Sequence, residues 1–238
     1  MLLLIFVGFW TIFSEHRTAG SGFVLNDRYK KSMLHGAIIY PERSTMPWKK
    51  NFDLDEATLK ATEVFWAKGY EATSITDLVN AMAVNKGSLY NAFGSKKDLF
   101  VRALMQYDRL YRQRLLTEMA AIDDPVASIE ALFDRMIEES EADRQRKGCM
   151  LVNTALELPH HDPDIQKMVT SALLEFELFF ETCVKRGHKQ GTISNKVDAQ
   201  AAAKSLLAQV VGLRVLARGV YDRESLNAIR DQALQIVK

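Results

Sequence analysis

Residues 74–93 read SITDLVNAMAVNKGSLYNAF, two short helical segments joined by a tight turn. Ser74 with Asp77 three residues on is a capping pair, and it opens a helix whose apolar side carries Ile75, Leu78, Val79 and Met82. Asn85 suits the N-cap of a second helix over about 86–93, with Val84 and Leu89 placed as a hydrophobic staple. Ala83 stands in the turn, so the turn is expected to form without a positive φ. Burying Leu89 and Phe93, four residues apart, turns Lys86, Gly87, Ser88, Tyr90 and Asn91 outward. A cation, small polar groups, a phenol and an amide turned variously outward can bond phosphate oxygens and base edges. Eight helical residues span about 12 Å, and the DNA major groove is about 12 Å wide. The stretch therefore reads as a helix-turn-helix with its second helix made for that groove.

Working outward, Leu54, Ala57, Ala61, Val64, Phe65 and Lys68 follow the spacing of a helix with one buried stripe. Asp53 and Glu56 are placed as its capping box, and Gly69-Tyr70 ends it. Ser95 and Asp98 repeat the capping pair and start a long helix through Leu99, Leu104, Tyr107, Leu110 and Leu115. Further helices are expected over about 125–142, from Cys149 to Leu158, and near 163–187, 197–218 and 222–237. No alternating run argues for a strand, and no fixed-period repeat is present. The expected fold is all-α: a three-helix helix-turn-helix domain over 46–100, a larger helical domain over 101–238, and an N-terminal extension over 1–45.

Residues 53–100 resemble the N-terminal domain of TetR-type (TetR/AcrR) transcriptional regulators. The resemblance rests on Lys68-Gly69-Tyr70, Thr73-Ser74-Ile75 with Asp77-Leu78, Val84 to Tyr90, and Phe93-Gly94-Ser95-Lys96-Lys97-Asp98-Leu99. It implies a regulator, more a repressor than an activator, that binds a palindromic double-stranded DNA operator as a homodimer in the cytoplasm. The DNA contacts it implies fall on Ser74, Lys86, Gly87, Ser88, Tyr90, Asn91 and Lys96. Asn91-Ala92 replace the bulkier pair often found there, which leaves the operator sequence open. The resemblance also implies a dimer interface built by the helices near 197–218 and 222–237, where Ala199, Ala202, Ala203, Leu206, Leu207, Val210, Val211 and Leu213 form a broad apolar surface. It places a small-molecule effector pocket in the body, with Tyr107, Tyr111, Phe133, Met136, Ile137, Leu151, Phe176, Phe179 and Phe180 as candidate lining. Such a lining favours an apolar or aromatic effector. Cys149 follows Arg144, Arg146, Lys147 and Gly148 close to a helix start, features that activate a thiol. Some members of the family sense oxidants or electrophiles at such a Gly-Cys, so Cys149 is a candidate redox sensor.

Composition limits the alternatives. The 238 residues are 47% hydrophobic with 12 Gly and 5 Pro, enough for a core and few turn residues for an all-β chain. Charges nearly cancel, 31 Lys+Arg against 30 Asp+Glu, and residues 46–100 hold seven of each sign. DNA binding must then come from a local patch: Lys86, Lys96 and Lys97, with Lys49 and Lys50, and backbone N–H groups at helix starts. The balanced charge keeps a second class open, a helical ligand-binding or scaffold protein without DNA binding. Cys149 and Cys183 suit free thiols in a reducing compartment. His160-His161-Asp162 sits in a Pro-flanked loop without a third spaced ligand, so no metal is expected, and no catalytic constellation or cofactor motif is found. Leu2 to Phe13 is apolar but too short to span a bilayer. Residues 1–45 read either as a membrane- or partner-binding arm or as an extension ahead of a start at Met46.

Overall fold

The computed structural model describes residues 53–238, and the readings of residues 1–45, Met46, Lys49 and Lys50 lie outside them. The described residues form helices joined by short turns, and the reason for each boundary is local. Helix α1 (Leu54–Lys68) starts where the Asp53 carboxylate accepts from the backbone N–H of Asp55 and Glu56, and it ends at Gly69 with φ 81°. Glu56 does not close the expected box; it reaches forward to Lys60 at 2.8 Å. Lys68, expected in the buried stripe, is exposed, while Ala57, Ala61 and Phe65 are buried. Helix α2 (Ile75–Met82) has the full capping box between Ser74 and Asp77. Helix α3 (Lys86–Phe93) is capped by the Asn85 side chain, and α4 (Lys96–Tyr107) by Ser95.

The turn between α2 and α3 corrects the sequence expectation. Ala83 adopts the left-handed conformation, φ 55° and ψ 42°, and its N–H closes back on Val79 and Asn80. The turn thus uses the positive φ that a glycine would supply, and alanine holds it at a steric cost of about 1–2 kcal/mol.

The long helix expected from Ser95 through Leu115 is interrupted. After α4 the chain makes a π-helical segment, Asp108–Gln113, before α5 (Arg114–Ala120) resumes. Within the widened turn Arg112 and Asp108 are drawn inside as an ion pair, and Arg112 also bonds Glu175 at 2.8 Å. Burial disfavours the Arg112 charge, but Asp108 and Glu175 outweigh it and hold the guanidinium above its usual pKa.

The body continues with α6 (Pro125–Ala142), α7 (Met150–Leu156), a 3₁₀ turn at Leu158–His160, α8 (Pro163–Gln190), α9 (Ala199–Leu216) and α10 (Arg223–Gln235). Two apolar clusters hold it together. The first joins Ala61, Phe65, Leu78, Leu89, Phe93 and Leu99 of the helix-turn-helix to Met150, Leu151, Ile165, Val169 and Ala172. The second gathers Leu132, Phe133, Phe180, Val184, Leu206 and Leu213. Helix α8, 28 residues long, enters the first cluster at its start and the second from Phe176 onward. No helix among the described residues is long and apolar enough to cross a membrane.

Candidate functional site

The outward face of α3 follows from what its inward face must do. Leu89 is fully buried and Phe93 nearly so, which fixes the helix rotation. Lys86, Gly87, Tyr90 and Asn91 are then exposed and Ser88 half-buried, so all five candidates lie outside the core. Gly87 keeps the first turn slim: a Cβ there would lie 3.3 Å from the Asn85 side-chain Oδ1 that caps the helix. Tyr90 is 39% exposed, large for an aromatic ring with nothing to cover it, and its phenol is positioned to reach outward.

Ser74 lies at the start of α2, but its hydroxyl is engaged with Asp77, donating at 2.7 Å and accepting from the Asp77 N–H at 3.0 Å. Asp77 in turn accepts from Lys68 Nζ at 2.6 Å. The Lys68 bond first, then those from Ser74, holds the Asp77 carboxyl far below the usual carboxylate range. Lys96 stands at the start of α4 with its ammonium 4.4 Å from the Tyr70 ring centroid, which orients it. Lys97, expected on the DNA side, is instead paired with Asp162 at 3.3 Å and Asp164 at 3.7 Å. Of the other lysines expected toward DNA among the described residues, Lys86 is exposed and Lys96 half-buried.

The expected effector lining is brought together in part. Tyr107, Tyr111, Met136, Leu151 and Phe176 line one small cavity of ≈ 30 Å³, together with Cys149 and Arg214. That is room for about one water. Phe133, Ile137, Phe179 and Phe180 line neither this cavity nor the larger one but belong to the body core. Phe180 is fully buried there, 6.2 Å from Phe133 and 5.4 Å from Phe179, because its place on α8 points it at α6.

Beside the small cavity is an open cleft of ≈ 590 Å³ lined by Glu63, Trp66, Tyr107, Tyr111, Glu139, Asp143, Lys147 and Arg214, among others. Its size suits a small ligand, but its charges depart from the apolar lining expected from sequence. Trp66, Glu63, Lys147 and Arg214 were not legible as site residues, since their contacts join positions far apart. Trp66 Nε1 donates to the Gly148 carbonyl at 2.8 Å, tying α1 to the turn before α7.

Cys149 is a half-buried free thiol at the N-cap of α7. Burial, with the Cys149 thiol beside it, pushes the Tyr107 hydroxyl well above its usual pKa. Burial would lower Arg214, yet Cys149, Glu139 and Tyr107 around it hold it raised. Cys183 is buried near Ser128 and raised by that burial, which makes it a poor nucleophile. His161 packs against Tyr70 and Phe100, and no metal-ligating cluster occurs among the described residues.

Comparison with known proteins adds to this geometry. Residues 59–103 match the family described as bacterial regulatory proteins, tetR family, and residues 125–233 match the tetracyclin repressor-like C-terminal domain. The chain is 26% identical to the uncharacterized HTH-type transcriptional regulator YezE of Bacillus subtilis (strain 168), covering 79% of this chain and 97% of that one. It is 28% identical to the HTH-type transcriptional repressor ComR of Escherichia coli (strain K12), covering 79% and 90%. Among solved structures, a cysteine-substituted form of the TetR-family regulator CifR, bound to a 26-base-pair operator duplex, superposes with a TM-score of 0.69. It is 28% identical over 78% of this chain and 97% of that chain.

Proposed function

We propose, since this chain belongs to the TetR family of DNA-binding transcriptional regulators and is not an enzyme, that it represses transcription by inserting α3 into successive major grooves of a palindromic operator as a homodimer. The observation that carries this reading is the exposed row Lys86, Gly87, Tyr90 and Asn91 over the buried Leu89 and Phe93. Lys86 and Lys96 reach phosphates, Ser88, Tyr90 and Asn91 read base edges, and the Ser74 backbone at the start of α2 adds to the phosphate contacts. One head covers too little DNA for useful specificity, so two are needed.

The dimer forms through α9 and α10. In α9 the side toward the core is spent on Ala202, Ala203, Leu206, Val210 and Leu213. Ala208, Val211, Gly212 and Val215 remain on its outer side, and Gly212 has open space over it, as close approach of a second helix requires. Domain limits at 46–100 and 101–238 belong to this reading, as does a place in the cytoplasm beside the DNA.

Release comes from a small molecule in the body or from an electrophile or oxidant at Cys149. Either acts where Tyr107 ends α4, the helix that leaves the head, and beside the Gly148 contact with Trp66. Simultaneous insertion needs recognition helices about 34 Å apart, so a shift of a few ångströms disengages one of them. Selection of bound duplexes from a random pool tests the reading. An enriched palindrome lost in the Lys86→Ala, Tyr90→Ala double variant is the expected result. A folded dimer that enriches nothing at low salt would refute it and favour the ligand-binding alternative.

A further inference from the structure

The open cleft holds a grouping that DNA binding does not use. Trp66 lies edge-on to Tyr107 and Tyr111 at centroid distances of 5.0 and 5.3 Å, and the two tyrosines stack at 4.7 Å. Glu63, on α1 one turn before Trp66, and Glu139, near the end of α6, bring carboxylates to the same cleft. Into this aromatic and acidic box the chain inserts a cation of its own. Lys147 Nζ lies 3.8 Å from the Trp66 ring centroid and 2.8 Å from Glu63 Oε2, with its side chain only 15% exposed. A lysine ordinarily keeps its ammonium in water, and here a ring face and a carboxylate replace that water.

The remaining charges do not offer the same seat. Arg214 is held by Glu139 at 2.6 Å, and Asp143 accepts from the Gly148 N–H at 2.8 Å. Arg144 stands at the exposed rim. An anion would find Arg214 taken by Glu139 and Arg144 out at the rim, and against Trp66 it would face Glu63 and the negative face of the ring. A neutral ligand that displaced Lys147 would leave Glu63 without its cation.

We propose that this cleft is a binding site for an organic cation, an alkyl- or arylammonium, which takes the place of the Lys147 ammonium against Trp66 and Glu63. Three aromatic rings and a carboxylate are the recognised means of holding such a group. The volume of ≈ 590 Å³ accommodates a molecule larger than the lysine tip it replaces. Displacement also loosens α1. Lys147 and Gly148 grip that helix at adjacent points, through Glu63 and through Trp66, and the incoming cation removes the first grip. That last step rests on the ligand-responsive reading above; the site itself does not.

Calorimetric titration of the full chain, without DNA, tests the site apart from operator binding. The probes are benzyltrimethylammonium, its uncharged carbon isostere neopentylbenzene, and the anion phenylacetate. The ammonium is expected to bind best. Lys147→Met, which removes the internal competitor, should tighten it about tenfold, and Glu63→Gln should weaken it about tenfold. If Lys147→Met does not fold, Glu63→Gln and Trp66→Leu carry the test, and both should weaken the ammonium. The proposal is overturned if the ammonium does not bind, if the isostere or phenylacetate binds as well, or if its affinity is unchanged in these variants. Loss of operator binding with cation binding intact would leave the site standing and remove only its link to DNA.

Discussion

The helix-turn-helix and the cleft are built by opposite means. In the first, the bonds that cap the helices join near neighbours: Ser74 with Asp77, Asn85 with Ser88, Ser95 with Asp98. In the second, the bonds that shape the walls join Trp66 to Gly148, Glu63 to Lys147 and Glu139 to Arg214, each across more than sixty positions. The first kind of site is written in a window of twenty residues. The second exists only once α1, α6 and α9 have packed, so its stability and its shape depend on the whole body.

The sharpest way to break this contrast is to show that the two regions melt separately. Helix α8 argues that they do not, because Ile165 and Val169 belong to the cluster of the head while Phe180 and Val184 belong to that of the body. Phe180→Ala is expected to cost about 3–5 kcal/mol and Leu89→Ala about 2–5 kcal/mol, each moving one common transition. Urea unfolding followed by far-UV circular dichroism and by tryptophan fluorescence checks this. A body transition left at the wild-type midpoint in Leu89→Ala would show that the head folds by itself and that α8 does not couple the two.

Surface chemistry on α3 should behave differently from either core. Tyr90→Ala is expected to lose about 1–3 kcal/mol of operator affinity and to relax specificity at its base, and Lys86→Ala to weaken every duplex alike and lower the salt slope by about 1. Both side chains are exposed, so unfolding should move by no more than about 0.5 kcal/mol. Fluorescence anisotropy on a selected duplex, paired with denaturation, separates the two effects. Lys97→Ala makes the useful contrast. Its ammonium is committed to Asp162 and Asp164, so operator affinity should change less than for Lys86→Ala.

Capping gives the next smaller effect. Ser74→Ala should cost about 1 kcal/mol, because the N–H of Asp77 loses its partner at the start of α2. Asp77 supplies the pH dependence. Its carboxyl is depressed by Lys68 and then by Ser74, so its contribution is complete above the unfolded value of about 3.9 and is lost as pH falls toward the folded one. The advantage of wild type over Asp77→Asn should be level from neutral pH down to about pH 5 and fade below pH 4. Unfolding midpoints measured across that range decide it; an advantage that persists at the lowest pH would point to shape rather than charge.

How far the sequence could be read follows the same division. The all-α class, the caps at Ser74, Asn85 and Ser95, and the outward set on α3 were all legible, since four-residue periodicity and capping are local. The π-helical turn at Asp108–Gln113 was not, because Leu104, Tyr107, Leu110 and Leu115 read as one continuous helix, and the Arg112–Glu175 ion pair seen at that turn joins positions 63 apart. Phe180 was misplaced for a related reason. Phe176 and Phe180 are one turn apart on α8, and apolar character alone does not say which meets a cavity and which meets Phe133. Lys147 reads in sequence as part of a charged turn, and its seat over Trp66 depends on a contact 84 positions away from Glu63.

Ala83 is where local reading failed inside the most legible region, and it offers the finest test. The residue is exposed and lies at φ 55°, so no packing is lost if its methyl group is removed. Ala83→Gly relieves the left-handed strain, about 1–2 kcal/mol, and gives back about 0.4–1 kcal/mol through the freer unfolded chain. A net gain of about 0.5–1 kcal/mol is expected. Gly94, at φ 84° after α3, should respond in the opposite sense, since an alanine Cβ there would be strained and only 3.0 Å from Asp98 Oδ2. Denaturant midpoints at an unchanged slope report both. If Ala83→Gly destabilised the protein instead, the turn would be held by its alanine, and α2 and α3 would meet in some way other than through the left-handed residue between them.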